Sequence, residues 1–343
     1  MRLDVRPLAL PLREPLETAW GALAVRELLE VRLQDDDGLA GVGEAAPLEA
    51  YDGVPLAAVR AALDVYARVL EEVPADAALE ACRAERDLPQ ALAAIDLALW
   101  DLAGRRAGRP VAQLLSVEAA RSIPVNATIG ALDRAGAARA AAAAAAADFD
   151  CVKVKVGAGD DAGRLAAVRA AAGRRMAIRI DANGVWSVEE AVAHLRALAP
   201  VGIELAEEPV HGVEALRAVR AEVDVPLAMD ETAAEPGAAG SGATDAVCLK
   251  IARCGGISGV LRDAALARAA GSAVYLASTF DGPTGIAAAV HAAAGLTAGG
   301  LMPAHGLATL DAFAGDVPGP RAVRGAIRVP REPGLGAGAV STG

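Results

Sequence analysis

Val152-Lys153-Val154-Lys155-Val156, followed by Ile180-Asp181-Ala182-Asn183-Gly184, decides how the rest of the chain is read. The first stretch has the two-residue period of a strand, so both lysines share one face and the valines the other. The second ends an apolar run on a carboxylate. The same unit recurs in Leu205-Ala206-Glu207-Glu208-Pro209, Ala228-Met229-Asp230-Glu231-Thr232 and Val247-Cys248-Leu249-Lys250-Ile251. From Lys155 the steps to Asp181, Glu207, Asp230 and Lys250 are 26, 26, 23 and 20 residues, each about one strand plus one helix. Short apolar runs alternating with alanine-rich helical stretches imply βαβ units and a parallel sheet. The runs are Pro124–Ile129, Cys151–Val156, Ala177–Asp181, Gly202–Glu207, Pro226–Asp230, Ala246–Ile251, Ala273–Ser278 and Gly300–His305. Eight of them predict an α/β fold, a closed (β/α)8 barrel over residues 106–316. The polar side chains at the run ends then converge on the C-terminal end of the barrel, where barrel enzymes keep their sites.

Upstream, residues 1–105 read as an α+β capping domain. Val25–Gln34, the turn Asp35-Asp36-Asp37-Gly38 and Leu39–Glu44 predict a hairpin. Helices are expected over Pro55–Val69, Ala75–Arg86 and Pro89–Ala103, the last ending at Gly104. Within the barrel, Ser187 with Glu190 three residues on forms a capping box before Val188–Leu198. Ala140–Ala147 reads as an outer-ring helix. The Pro- and Gly-rich tail, 317–343, is expected to pack back on the cap.

Composition excludes several classes. Net charge is −11 and no basic patch exists, which argues against nucleic acid. No apolar run reaches the ~20 residues that span a bilayer, so a soluble, cytoplasmic protein without a membrane partner is expected; a homo-oligomer stays open. Cys82, Cys151, Cys248 and Cys254 form no C-x-x-C pair and read as buried free thiols. Of the 33 basic residues, only Lys153, Lys155 and Lys250 are lysines, the rest being arginine. A lysine can lose its proton when desolvated and an arginine cannot, so lysine is retained where a titratable amine is needed.

Three carboxylates on successive strands, Asp181, Glu207 and Asp230, without histidine, suit a hard cation with oxygen ligands, Mg2+ rather than Zn2+. Each acid could instead cap the helix after its strand. Glu208 and Glu231 are near-equivalent candidates, but neighbours on a strand face opposite sides. Lys153 and Lys155, close together and near a cation, should disfavour one another's proton and move a lysine toward general-base range. Lys250 approaches from across the barrel. His305 stands at a strand end and is a candidate substrate contact, whereas His194, His211 and His291 read as structural. Gly255-Gly256 could leave backbone N–H groups free for an anion. Trp20 and Tyr51 lie in cap loops.

Lys-x-Lys, Asp-Ala-Asn-Gly, Glu-Glu-Pro, Asp-Glu-Thr and Leu249-Lys250-Ile251-Ala252-Arg253-Cys254-Gly255-Gly256, in this order, together with Gly43-Glu44-Ala45-Ala46-Pro47 and Ala94–Asp101 in the cap, resemble the muconate-lactonizing subgroup of the enolase superfamily. The resemblance runs over nearly the whole chain. It implies an enolase-type barrel under an N-terminal cap, with Mg2+ as cofactor and a small-molecule carboxylate as substrate. It makes Lys155 the main acid/base, Lys153 its modulator, Lys250 the opposing lysine, and Asp181, Glu207 and Asp230 the Mg2+ ligands. Asn183, Ser278, Thr279, His305, Trp20 and Tyr51 are then candidate substrate contacts. The implied chemistry is removal of the proton next to a substrate carboxylate through an enolate. Pro124-Val125-Asn126-Ala127-Thr128 and Gly306-Leu307-Ala308-Thr309, with Phe313 and Asp316, look most like actinobacterial-type o-succinylbenzoate synthases, dehydrating lyases of menaquinone biosynthesis. The alternatives are an isomerase, dipeptide epimerase or muconate cycloisomerase, and a non-catalytic binding barrel. Dipeptide epimerases carry an Asp-x-Asp near the eighth strand, which is absent here.

Overall fold

The computed structural model of the protein describes residues 1–18, 21–297 and 303–337. β1 (Arg2–Thr18), β2 (Gly21–Gln34) and β3 (Ala40–Ala45) form an antiparallel sheet in the order β1-β2-β3. The β2–β3 hairpin turns at Asp35–Gly38, where Asp35 Oδ1 accepts from the N–H groups of Asp37 and Leu39. β1 has no counterpart among the expected strands. Pro7, Pro11 and Pro15 interrupt its pattern, and they are tolerated because β1 is an edge strand whose outer N–H groups need no partner. Helices Leu56–Glu72, Ala78–Glu85 and Pro89–Ala107 pack on this sheet, enclosing Leu29, Val31, Leu33, Leu63, Tyr66, Leu92 and Ile95. The third helix passes its expected end at Gly104. It runs to Ala107, and Gly108, at φ 62°, supplies the left-handed cap. Gly104 serves packing instead: a Cβ there would stand 2.7 Å from Gly334 Cα.

β4 (Ser122–Pro124) and β5 (Ala127–Ile129) split the first expected barrel strand. β5 continues into a parallel sheet with β6 (Cys151–Lys155), β7 (Ala177–Asp181), β8 (Ile203–Glu207), β9 (Leu227–Met229), β10 (Ala246–Leu249) and β11 (Ala273–Leu276), in that spatial order. The eighth run closes the ring. Gly300–Met302 lie outside the described residues, but His305 bridges Val125 and Gly306 bridges Ala277, both in parallel sense. The cap-plus-(β/α)8 architecture is therefore present. β12 (Ala322–Val323) and β13 (Ala326–Arg328) form a hairpin, β13 pairs with β4, and Leu335 N donates to Asp101 Oδ1 of the helix Pro89–Ala107. The capping box at Ser187 and Glu190 forms in both directions. No described helix is long and apolar enough to cross a membrane.

Two cores result. Val152, Val154, Ile178 and Ile180 join the outer layer between strands and helices. Inside the barrel a smaller group comprises Leu205, Ala228, Ala246, Cys248, Tyr275 and Ala277. The lysines and acids sit at the strand ends above this inner group.

Candidate active site

Register fixes which side chains meet. Lys155 pairs with Asp181 across β6–β7, and Asp181 with Glu207 across β7–β8. Parallel strands in this register bring their C-terminal residues to one level. Lys153 Nζ donates to Asp181 Oδ2 at 2.9 Å and to Glu207 Oε1 at 2.8 Å. Lys155 Nζ donates to the same Asp181 oxygen at 2.6 Å and to Asn183 Oδ1 at 2.7 Å. On the far side Lys250 Nζ donates to Asp230 Oδ1, which also accepts from Tyr51 Oη at 3.1 Å. β6 and β10 are four strands apart in a ring of eight, so Lys155 and Lys250 face each other across its diameter. The Lys155 side chain is 34% exposed, against 13% for Lys153 and 6% for Lys250. Lys155 is the most exposed of the three lysines.

The two neighbouring acids separate cleanly. Glu208 has φ 38°, a left-handed turn that swings its side chain out of the barrel. Its carboxylate accepts from Asp230 N at 2.6 Å, Thr232 N at 3.0 Å, the Thr232 hydroxyl and the His211 ring. Glu208 thereby braces the loop that carries Asp230. Glu231 accepts from Asn183 Nδ2 at 2.8 Å; burial and the nearby Asp230 push its carboxyl up to about 7. Glu207 and Asp230 are the members of each pair that face the lysines.

Electrostatics here are those of a crowded, dry cluster. Burial alone would raise Asp181, but the Lys153 and Lys155 ammonium groups hold it well below the usual carboxylate range. Asp230 is likewise lowered by Lys250 and Lys153 against the effect of burial. Glu207 is raised, because burial, Asp181 and Asp230 outweigh Lys153. The surrounding carboxylates act against the lowering expected of paired lysines at Lys153, and they do the same at Lys250. Burial does favour the neutral amine, yet the carboxylates around Lys153 and Lys250 overcome it and hold both well above the ordinary value.

A divalent cation fits this donor set. Asp181, Glu207 and Asp230 are 1%, 1% and 4% exposed, offer oxygen only, and include one acid, Glu207, that burial and then neighbouring negative charge push up. Of the three, Glu207 and Asp230 have ligand atoms within 4.8 Å of each other and of Cys248; Glu208, His211 and Glu231 form a second such group, and Asp181 belongs to neither. Cys248 is fully buried beneath Lys250, 3.9 Å from its Nζ.

The remaining expected contacts are placed as follows. Asn183, at φ 48°, bridges Lys155 and Glu231. The Tyr51 ring lies 5.1 Å from Lys250 Nζ and 5.0 Å from the Arg253 guanidinium, whose Nη1 donates to the phenol. Ser278 Oγ accepts from Asp281 N, and the buried Thr279 hydroxyl donates to Asp281 Oδ1. His305 is buried in the barrel wall with Nδ1 accepting from Leu276 N. Trp20 lies outside the described residues. A cavity of about 460 Å3 adjoins Asp230 and Lys250 beside Arg253. The anion site expected at Gly255-Gly256 is corrected. Asp96 of the cap occupies that position, its Oδ2 accepting from Ser258 N, and a Cβ on Gly256 would lie 2.2 Å from it. The four cysteines are free, Cys254 being only half-buried. Residues the sequence reading passed over are Tyr275, whose phenol donates to Glu207 Oε2 at 2.6 Å, and Arg253. An aromatic in an apolar run reads as core; only its two-residue phase with Ala277 hints that it points inward.

A parallel barrel whose strand ends carry opposed lysines and a carboxylate triad beneath an α+β cap defines a class of proton-transferring barrel enzymes. The sequence profiles agree with it: "Enolase C-terminal domain-like" matches residues 136–339, and "Mandelate racemase / muconate lactonizing enzyme, N-terminal domain" matches 2–116. The chain belongs to the mandelate racemase/muconate lactonizing enzyme family of the enolase superfamily. Among its relatives, the hydrophobic dipeptide epimerase of Enterococcus faecalis is 30% identical over 317 residues, 85% of this chain and 86% of that one. The o-succinylbenzoate synthase of Thermobifida fusca is 38% identical over 205 residues, 57% of this chain and 62% of its own. The crystal structure of the E. faecalis dipeptide epimerase with Mg and L-Leu-L-Tyr superposes with a TM-score of 0.91 at 26% identity, covering 98% of each chain.

Proposed function

We propose that this chain is a Mg2+-dependent enzyme that removes the proton α to a carboxylate of a small organic acid, and that its particular reaction is the dehydration that forms o-succinylbenzoate. The observation that carries the proton-transfer reading is the placement of Lys155 and Lys250 across the barrel from each other, with Asp181, Glu207 and Asp230 between them. Asp181, Glu207 and Asp230 would hold the cation. When bound, it supplies Lewis-acid stabilisation of charge on the substrate carboxylate, worth several kcal/mol. Lys155 is the most exposed of the three lysines and takes the α-proton; Asn183 fixes the direction of its Nζ. In the dehydration the C–O bond then breaks, and Lys155 returns that proton to the departing hydroxyl, releasing water. Lys250 stays protonated opposite and stabilises the developing negative charge. Tyr51 closes the site from the cap, its ring against Lys250.

Two features support dehydration. The segment after the eighth strand, His305-Gly306-Leu307-Ala308-Thr309-Leu310-Asp311, carries no Asp-x-Asp to hold a substrate ammonium, and the T. fusca relative has the higher identity over its shorter match. A second reading, dipeptide epimerisation, is favoured by the near-complete overlap with the E. faecalis epimerase. There Lys155 and Lys250 would act as base and acid on opposite faces. The deciding assay offers the cyclohexadiene precursor of o-succinylbenzoate beside a dipeptide library, with Mg2+. Turnover of the precursor supports the lyase; turnover confined to dipeptides overturns it in favour of the epimerase.

A further inference from the structure

The barrel interior below the strand ends holds a polar column in an otherwise apolar space. Tyr275 of β11 is 2% exposed and donates from its phenol to Glu207 Oε2 at 2.6 Å. The other oxygen of that carboxylate takes Lys153 Nζ at 2.8 Å. Beside the phenol ring, the Arg179 guanidinium lies 5.0 Å from the ring centre. Arg179 is itself held by Glu204 Oε2 at 2.8 Å and by the Ala304 carbonyl at 2.7 Å. The other inward residues at this level are Leu205, Ala228, Ala246, Cys248 and Ala277. Among the described residues, therefore, Glu207 Oε2 has the Tyr275 phenol as its hydrogen-bond donor.

A carboxylate rotates about its last carbon–carbon bond unless something holds one oxygen, and a cation ligand must present a chosen lone pair. Outer partners that orient ligands in this way typically carry a 10–100-fold effect on metal affinity. We infer that Tyr275 is a positioning residue for the metal site: by holding Glu207 Oε2 it restricts rotation of the carboxylate that would ligate the divalent cation. Arg179, packed on the ring, fixes the phenol in turn. The inference rests on the metal-site reading of Asp181, Glu207 and Asp230 given above.

Tyr275→Phe keeps the ring and its contact with Arg179 and deletes the one donor. Titrated with Mg2+ by calorimetry and with Mn2+ by electron paramagnetic resonance, without substrate, it should bind about 10–100-fold more weakly than the unaltered protein. Its kcat should recover as the metal is raised to saturation. A folded Tyr275→Phe with unaltered affinity overturns the inference and leaves the metal site standing. An unaltered protein that binds no Mg2+ removes the metal-site reading and this inference with it. Should Tyr275→Phe fail to fold, 3-fluorotyrosine incorporated at the three tyrosines provides a second measurement. The 19F resonance of Tyr275 must shift as Mg2+ binds, and a resonance that stays put overturns the inference.

Discussion

Lys155 combines two properties that its sister lysines lack together: it touches the carboxylate triad, and a third of its side chain meets solvent. A guanidinium in its place keeps the charge but cannot accept a proton at neutral pH. Lys155→Arg should therefore lower kcat by at least the ~10²–10⁴-fold that general-base catalysis contributes, with circular dichroism unchanged. Activity equal to the unaltered protein refutes the assignment. Lys250→Arg separates the two readings. A dehydratase that uses one base keeps part of its turnover and still exchanges the α-proton in D2O. A two-base epimerase loses interconversion of the stereoisomers while Lys155 continues to exchange one of them. Deuterium incorporation followed by mass spectrometry reads either outcome. At this scale the sequence was informative because the chemistry is sparse: three lysines in a chain rich in arginine mark their own positions. Tyr275 and Arg253 were hidden, because residues of their kind elsewhere do nothing more than fill or solvate.

At the scale of elements, the cap contains one especially close approach. β3 lies against the helix Pro89–Ala107 through Gly41 and Gly43. A Cβ on Gly43 would stand 1.9 Å from the Ala94 carbonyl oxygen, and on Gly41 2.1 Å from that of Ala98. Neither neighbour is a movable side-chain tip, so the helix backbone itself would have to shift. Gly43→Ala should cost about 1–3 kcal/mol, the usual penalty of overpacking a filled contact. Urea unfolding measures it, and a midpoint unchanged within error contradicts the packing argument. Element boundaries were legible where local chemistry sets them, as at the Ser187–Glu190 capping box. They were not legible where a distant segment decides. Gly104 reads as a helix end, but its neighbour in space is Gly334. Pro7, Pro11 and Pro15 conceal a long strand that is permitted only because it lies at the sheet edge.

For the whole molecule, His291 ties three separate parts of the chain together. Its Nδ1 accepts from Ala112 N and its Nε2 donates to the Leu335 carbonyl, so the helix Pro283–Leu296 is joined to the helix Val111–Leu115 and to the tail. Burial lowers its pKa from 6.5 to about 4. As pH falls, the unfolded chain takes up this proton first, so the stabilisation is fully present above 6.5 and is lost between 6.5 and about 4. A shift of that size corresponds to about 3 kcal/mol. Denaturant unfolding at pH 7, 5.5 and 4.5 should show the loss. His291→Gln, able to accept and donate without titrating, should flatten the slope over the same range. An identical slope in the variant assigns the acid sensitivity elsewhere.

The sequence by itself determined the alternation of strands and helices, the barrel, and the convergence of lysines and acids at one end, because each follows from a periodicity or a spacing along the chain. Tertiary structure decided what local pattern leaves degenerate. Glu207 and Glu208 are equivalent in sequence, and a left-handed turn at Glu208 sends one into the barrel and the other to Thr232. The Gly255-Gly256 turn looks open to an anion, but Asp96 of the cap fills it. Two neighbouring lysines promise a lowered pKa, yet the carboxylates brought in from β7, β8 and the end of β9 outweigh that effect at Lys153. In each case the deciding group is far away in the chain, and only the folded arrangement brings its charge or its volume to bear.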